Sequence, residues 1–159
     1  MAQYPISWKC GHETTVNITG TNVRGERERK AESLARLACP ACRRDGEQAR
    51  RAEASAQAAA VNAAAGLPAL QGSDGQVAWA EGIRRDAIDS VLDSVRRSGA
   101  GDLAADVEAI ITRAAARETA ARAWIDARLD PREVIRARMD KADSGAMAML
   151  MAIAEGASQ

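Results

Sequence analysis

Residues 8–13 read Trp-Lys-Cys-Gly-His-Glu, and residues 39–42 read Cys-Pro-Ala-Cys. These two stretches contain all three cysteines and the only histidine of the 159-residue chain. Zinc in structural sites takes four nitrogen or sulfur ligands in a tetrahedron, and three cysteines with one histidine is a common set. The pattern therefore predicts a structural Zn²⁺ bound by Cys10, His12, Cys39 and Cys42.

The two ligand pairs differ in their spacing. Only Gly11 separates Cys10 from His12, which is shorter than most zinc turns, and glycine permits the tight backbone path that this spacing demands. Cys39 and Cys42 have the conventional two-residue spacing. The alternative interpretation is reduced, buried cysteines and a surface histidine. Because every cysteine and histidine of the chain belongs to one pattern, we favour metal binding.

The same residues argue against a catalytic metal. Zinc nucleobase deaminases use His-x-Glu followed by Pro-Cys-x-x-Cys, and the Glu moves protons. Here Glu13 follows His12 directly, and Pro40 lies between the two cysteines rather than before them. Cys10 would also fill the coordination position that a catalytic water needs. With His12 on the metal, no second histidine remains as a base, so we expect a protein that is not an enzyme.

Short strands are predicted on both sides of the first ligand pair. Residues 4–9 and 14–18 alternate apolar and polar side chains, which places the first ligand pair in the turn of a β-hairpin. A charged stretch then leads into a short helix that carries Leu34 and Leu37 on one face and delivers the chain to the second ligand pair. We therefore predict a zinc-binding head at residues 1–48.

Residues 49–72 are predicted to form an alanine-rich helix and a linker. From residue 43 to residue 65 the sequence is almost entirely Arg, Glu, Gln and Ala, a composition that favours a helix. Gly66 and the proline just beyond it form a usual helix stop. Because Val61 is the only large apolar residue in this helix, we expect it to be solvated or to let a partner approach closely.

The remaining residues, 73–156, predict an antiparallel helical bundle. Ser73 and Gln76 form a capping box at the start of a helix whose apolar side chains recur every three to four residues. A second helix is predicted to run without a break from Asp102 to Leu129, and a further helix follows it. The predicted fold is mostly α, with a small N-terminal β-hairpin zinc-ribbon-like head and a C-terminal antiparallel helical bundle.

Charge is unevenly distributed along a chain with no formal net charge. Residues 1–51 carry 10 basic and 6 acidic side chains, whereas residues 52–159 carry 12 basic and 16 acidic ones. Carboxylates are interleaved with the arginines of the first part, a pattern typical of a helix that pairs its own charges. A protein that neutralises phosphates usually has a larger basic surplus than this.

The sequence predicts a cytoplasmic protein with no membrane partner. No apolar run approaches the roughly 20 residues that a transmembrane helix needs. The N-terminus lacks the basic and apolar segments of a signal peptide. Three cysteines without an export signal are typical of metal ligands in a reducing compartment.

These motifs resemble those of a group of small uncharacterised zinc-binding proteins of phages and other mobile elements. The group shares Trp-x-Cys-Gly-His-Glu, an Arg/Lys-rich helix, Cys-Pro-x-Cys, and then Leu-Pro-x-Leu-x-Gly-Ser-x-x-Gln-x-x-Trp-Ala-x-x-Ile-Arg. In this chain the motifs with fixed spacing occupy residues 8–13, 39–42 and 67–84, and the likeness covers residues 4–97. The resemblance implies a zinc-binding head and a mobile-element setting within a host cell, and it implies no reaction.

The function that these features favour is binding of a host protein or nucleoprotein complex. Other small proteins of mobile elements act on host defence complexes such as CRISPR effectors, so an anti-defence role is expected by analogy of setting. The apolar side chains after residue 72 exceed the needs of one narrow stripe, and methionine-rich surfaces adapt well to partners. The alternative for any one of these side chains is that it simply fills the core. The predicted partner-binding residues are Trp79, Arg84, Met147 and Met151.

The alternative is a zinc-ribbon regulator that binds nucleic acid directly. Its candidate contacts are the basic residues of the head and of the following helix, which are Arg24, Arg27, Arg29, Lys30, Arg36, Arg43, Arg44, Arg50 and Arg51. The interleaved carboxylates count against it. An enzyme and a structural virion component are further alternatives.

Overall fold

The computed structural model describes residues 2–97 and 104–148. A two-stranded antiparallel hairpin opens the fold, with β1 (Ala2–Ser7) paired to β2 (Glu13–Ile18) so that Tyr4 faces Val16 across the ladder. Alternation along the strands buries Ile6 and Ile18. The predicted hairpin is confirmed, although each strand begins one or two residues earlier than expected.

Helix α1 (Glu26–Ala35) follows the hairpin and packs against both strands. It begins after Gly25, whose φ of 71° lies in the left-handed region that favours glycine. Ile6, Trp8 and Cys39 form a small core, against which Leu34 of α1 packs. Cys39 is therefore both a predicted ligand and part of this core.

Helix α2 (Pro40–Ala64) starts between the two cysteines of the second ligand pair and ends at Gly66, which has a φ of 77°. Only one of its residues, Asn62, is buried. The chain divides into two compact units, Met1–Arg51 and Ala52–Gln159, and the division falls inside this helix. Most of α2 is thus exposed to solvent, as the sequence predicts.

The second unit is helical. After α2 come α3 (Asp74–Arg97), α4 (Ala104–Ala116), α5 (Ala121–Asp126) and α6 (Arg132–Arg138), and residues 141–148 are helical as well. Helix α3 contacts α4, α5 and α6 around a core in which Ile88, Ile111 and Trp124 are fully buried. The predicted fold class, a small β head followed by a helical bundle, is confirmed.

The capping box at the start of α3 is also confirmed. The backbone N–H of Ser73 donates to Oε1 of Gln76 at 3.0 Å, and the backbone N–H of Gln76 donates to Oγ of Ser73 at 3.4 Å. These two bonds satisfy donors that the first turn of a helix leaves free. Among the residues that the structure describes, no helix combines the length and the hydrophobicity that a membrane span requires.

One helix boundary differs from the prediction. The helix expected to run unbroken to Leu129 stops at Ala116, and α5 begins at Ala121; the expected start at residues 102–103 lies outside the described residues. The break is held by a parallel bridge in which Gln71 accepts from the N–H of Ala121 at 2.9 Å and donates to the carbonyl of Thr119 at 2.7 Å. This pairing uses backbone groups that a continuous helix would bond internally. Leu129, expected in the core, is 93% exposed.

Candidate metal centre

The first ligand pair lies in the turn between β1 and β2. The N–H of Trp8 donates to the carbonyl of His12 at 2.9 Å, and the N–H of Gly11 donates back to the carbonyl of Trp8 at 2.8 Å. Gly11 has a φ of 81°, which explains why glycine occupies the single position between the ligands. The turn points Cys10 and His12 to the same side, which their one-residue spacing requires for binding a single ion.

The second ligand pair lies at the junction between α1 and α2. The N–H of Lys9 donates to the carbonyl of Leu37 at 3.0 Å, which joins the hairpin turn to the segment before Cys39. The N–H of Cys42 donates to Sγ of Cys39 at 3.4 Å within the first turn of α2. A backbone hydrogen bond therefore joins the two turns that carry the ligand pairs.

The four ligand atoms form a compact group. Nδ1 of His12 lies 3.5 Å from Sγ of Cys10, 3.6 Å from Sγ of Cys39 and 3.2 Å from Sγ of Cys42. A tetrahedral zinc with its usual bond lengths separates sulfur from nitrogen by about 3.5 Å. All four atoms lie within 4.8 Å of one another, and the three cysteines are free of disulfides. The residues are thus arranged as a metal-binding group, and its composition and spacing fit zinc.

Electrostatics in the group favour a charged thiolate. The N–H of Cys39 donates to Sγ of Cys10 at 3.3 Å, and this bond, with a second from the backbone of His12, lowers the pKa of Cys10 to about 6. Hydrogen bonding to Cys10 and Cys39 raises the pKa of His12. In contrast, the hydrogen bond from Cys42 to Cys39 raises the pKa of Cys42 to about 11. A metal bound at this group would displace the remaining thiol protons, so its affinity would rise with pH.

The surroundings of the ligands resemble a structural site more than a catalytic one. Cys39 is buried against Trp8, whose indole N–H donates to Oγ1 of Thr14 at 2.7 Å. A catalytic zinc keeps a coordination position for water or substrate, whereas a structural zinc has four protein ligands. With Cys10, His12 and Cys42 completing the set, this group supplies all four.

The predicted partner-binding residues differ in their exposure to solvent. Trp79 lies on α3 and is 53% exposed. Met147 is half-buried against the core of the second unit, and Met151 lies outside the described residues. Arg84, predicted at a partner surface, is instead 1% exposed, so its guanidinium is held inside the protein. Because Arg84 is buried, the three described residues of this set do not form one exposed surface.

The burial of Arg84 has a clear physical reason. Its Nη2 donates to both carboxylate oxygens of Glu81, at 2.9 and 2.7 Å, and its Nη1 donates to the carbonyl of Pro68 at 2.9 Å. Asn62 at the end of α2 donates to the same carboxylate at 2.6 Å. A buried charge needs a partner and hydrogen bonds, and here the two terminal nitrogens of Arg84 have both. The Nε of Arg84 and the Oδ1 of Asn62 are buried without a hydrogen-bond partner among the described residues. The sequence offered one clue, an asparagine within an alanine run, that α2 contacts the bundle at this point.

A second polar cluster was also missed from the sequence. Asp143 is buried and accepts from Arg113 at 2.9 Å and from Arg117. The nearby Glu118 accepts from Arg138 and from the N–H of Ala120. These pairs tie the helical segment at 141–148 and α6 to α4 and to the break that follows it. They are 20 to 30 residues apart in the chain, which is why local spacing gave no sign of them.

The chain matches no protein-family model, no curated protein and no solved structure.

Proposed function

We propose that this chain is a non-enzymatic protein of a mobile element that binds a host protein or nucleoprotein complex, with an anti-defence role, and that a structural Zn²⁺ holds its head in shape. The four-ligand geometry at Cys10, His12, Cys39 and Cys42 supports the zinc part. The resemblance of the cysteine and tryptophan motifs to small zinc-binding proteins of phages supports the setting. The exposed face of α3 around Trp79 supports the binding part, and it carries the proposal.

Trp79 is the largest exposed apolar side chain among the described residues. Tryptophan is enriched in the energetic centres of protein interfaces because its large ring buries much apolar area at a small cost in side-chain entropy. On a helix, the residues four before and three after Trp79 share its face, and both are glycines, Gly75 and Gly82. The residues three before and four after Trp79, Gln76 and Ile83, do carry side chains. The indole is therefore free of neighbouring side chains along one side of the helix, the side of Gly75 and Gly82.

The fold itself does not need these two glycines. Neither has a positive φ, and a Cβ added at either position meets nothing within 4 Å. Glycine inside a helix costs about 1 kcal/mol relative to alanine, and Gly82 is well inside α3. Because the protein gains nothing within its own structure from Gly82, we infer that the bare helix surface serves the approach of another molecule to Trp79.

This proposal predicts that side chains added at Gly82 have opposite effects on folding and on binding. Gly82→Ala should raise the free energy of unfolding by up to about 1 kcal/mol, because alanine favours the helix. Gly82→Leu should keep the fold and block the approach to Trp79, and Trp79→Ala should weaken the same binding by at least tenfold, the loss expected for an interface anchor. Urea unfolding followed by circular dichroism measures the first effect.

Binding is measured by capture from host lysate with quantitative mass spectrometry. Gly145→Leu is the matched control, since Gly145 is also an exposed helical glycine whose added Cβ meets nothing. A protein or complex captured by the wild type and by Gly145→Leu, and lost with both Trp79→Ala and Gly82→Leu, is the expected result. If every captured protein were retained by Trp79→Ala and Gly82→Leu, this face would not be the partner surface.

A further inference from the structure

Ion pairs are confined to one part of the molecule. All those among the described residues lie between Glu81 and Asp143. Between residue 2 and residue 51, no lysine or arginine lies within ion-pair distance of a carboxylate that the structure describes. The sequence predicted the reverse, a head whose interleaved charges pair with one another. That prediction is wrong at the level of contacts.

Three of the six carboxylates of the head accept hydrogen bonds from uncharged donors instead. Glu13 accepts from Oγ of Ser7 at 2.8 Å, and Glu28 accepts from the hydroxyl of Tyr4 at 2.8 Å. Glu26 accepts from the backbone N–H of Arg24 at 3.0 Å. The first two bonds join β2 and α1 to β1, and the third lies at the start of α1. Glu32, Asp45 and Glu47 lie near the remaining cations but beyond ion-pair distance of every described lysine and arginine.

The free cations cluster around the metal-binding turns. Lys9 is bonded through its N–H to Leu37, the residue after Arg36, and Arg43 is bonded through its N–H to the carbonyl of Cys39. These backbone bonds place the side chains of Lys9, Arg36 and Arg43 around the two metal-binding turns, residues 8–13 and 39–42, which together are called the knuckle below. All three are exposed, and within the part of the chain that the structure describes none makes a hydrogen bond or an ion pair through its charged group.

Helix α2 extends this charge away from the knuckle. Two arginine pairs, Arg43–Arg44 and Arg50–Arg51, recur seven residues apart and lie within an arc of about 120° of the helix surface. Glu47 is the only carboxylate within that arc, which leaves a surplus of three positive charges. The two pairs are separated by about 10 Å along the axis. All four arginines are exposed, and the stretch of α2 that carries them has no buried residue.

We propose that the knuckle and the first half of α2 bind the phosphodiester backbone of a nucleic acid. A solvated rod about 10 Å wide fits a nucleic-acid groove, and arginine forks at intervals along it match phosphates on the groove edges. A cation that binds a phosphate releases the counterions of that phosphate, which favours binding. A cation without an ion-pair partner in the protein loses no internal ion pair when it does so. This surface lies on the head and on α2, away from Trp79 in the sequence, so the proposal goes beyond the binding of a protein by α3.

The test is fluorescence anisotropy with the full-length, zinc-loaded protein and three labelled probes: a duplex DNA, its single strand, and an RNA hairpin. If four arginines each neutralise one phosphate, the slope of log K against log salt is about −3.6 for a duplex, and affinity falls about a hundredfold between roughly 50 and 200 mM salt. Comparing the three probes identifies the kind of nucleic acid. The variant R43Q/R44Q/R50Q/R51Q should abolish binding to the preferred probe.

Two further variants separate this surface from a general effect of charge. R122Q/R128Q/R132Q/R136Q removes the same charge from exposed arginines of the second unit, and it should keep at least half of the wild-type affinity. R43K/R44K/R50K/R51K keeps the charge of the first surface and should keep the salt slope, which shows that the glutamine variant fails through charge rather than through misfolding. The proposal is overturned if no probe binds in a salt-dependent way, or if the two glutamine variants lose binding equally.

Discussion

Replacing Arg84 with methionine tests whether the buried polar group at the end of α2 belongs to the fold. The substitution removes the guanidinium that satisfies both oxygens of Glu81 and the carbonyl of Pro68. It leaves a carboxylate that is only 5% exposed with Asn62 as its one remaining side-chain donor. Removing one partner of a buried ion pair costs about 3–5 kcal/mol, because the other charge stays buried and uncompensated. We expect a loss at the upper part of that range, since the pair and the Pro68 bond are lost together.

The assay is urea unfolding of the wild type, Arg84→Met, Glu81→Leu and the double variant. Replacing both charges by apolar side chains removes the uncompensated charge, so the double variant should be at least about 2 kcal/mol more stable than the sum of the single losses predicts. If Arg84→Met lowered the free energy of unfolding by less than about 1 kcal/mol, the loss would be typical of a surface substitution, and Arg84 would not be the buried partner described here. If the stability losses of the two single variants simply added in the double variant, the Glu81–Arg84 pair would not be the cause of the destabilisation.

Two further predictions concern the polar cluster and the metal. Hydrogen bonds from Arg117 and Arg113 lower the pKa of Asp143 in the folded state, so its contribution to stability is present above the unfolded carboxyl pKa of about 3.9 and is lost as pH falls through the lower folded value. The stability difference between the wild type and Asp143→Asn, measured by thermal unfolding from pH 7 downward, should therefore shrink below about pH 4, and a constant difference would contradict it. Removal of zinc by a chelator should disorder the hairpin while α3 to α6 stay helical, as judged by NMR amide signals and circular dichroism, because no described ligand lies beyond Cys42. Loss of all helical signal on chelation would contradict the prediction that α3 to α6 fold without the metal.

The parts of the fold that sequence could predict depend on local chemistry. The ligand group follows from the identity and spacing of four residues, and the capping box from Ser73 and Gln76. The hairpin follows from alternation on both sides of Gly11. In each case the residues that decide the structure lie within a few positions of one another, or are the only residues of their type in the chain.

What sequence could not predict depends on contacts between distant segments. The alanine-rich stretch before Ala121 has good helix propensity throughout, and the helix breaks there because Gln71, some fifty residues earlier, pairs with its backbone. Arg84 lies four residues after Ala80 and four before Ile88, on the core-facing side of α3. An arginine is rarely buried without a partner, and only the carbonyl of Pro68 and the carboxylate of Glu81 make its burial favourable. The lack of ion pairs in the head could not be read from interleaved charges either, because neutral donors compete for the carboxylates.

The most direct test of the central claim is the metal content and metal coordination of the purified protein. Elemental analysis together with X-ray absorption at the zinc edge should find one zinc per chain, with three sulfur ligands at about 2.3 Å, one nitrogen ligand at about 2.0 Å and no oxygen ligand. Cys39→Ser should lose this zinc, since Cys39 is both a ligand and part of the small core of the head. Zinc well below one per chain, an oxygen ligand in the wild type, or full zinc retention in Cys39→Ser would each contradict a closed structural site.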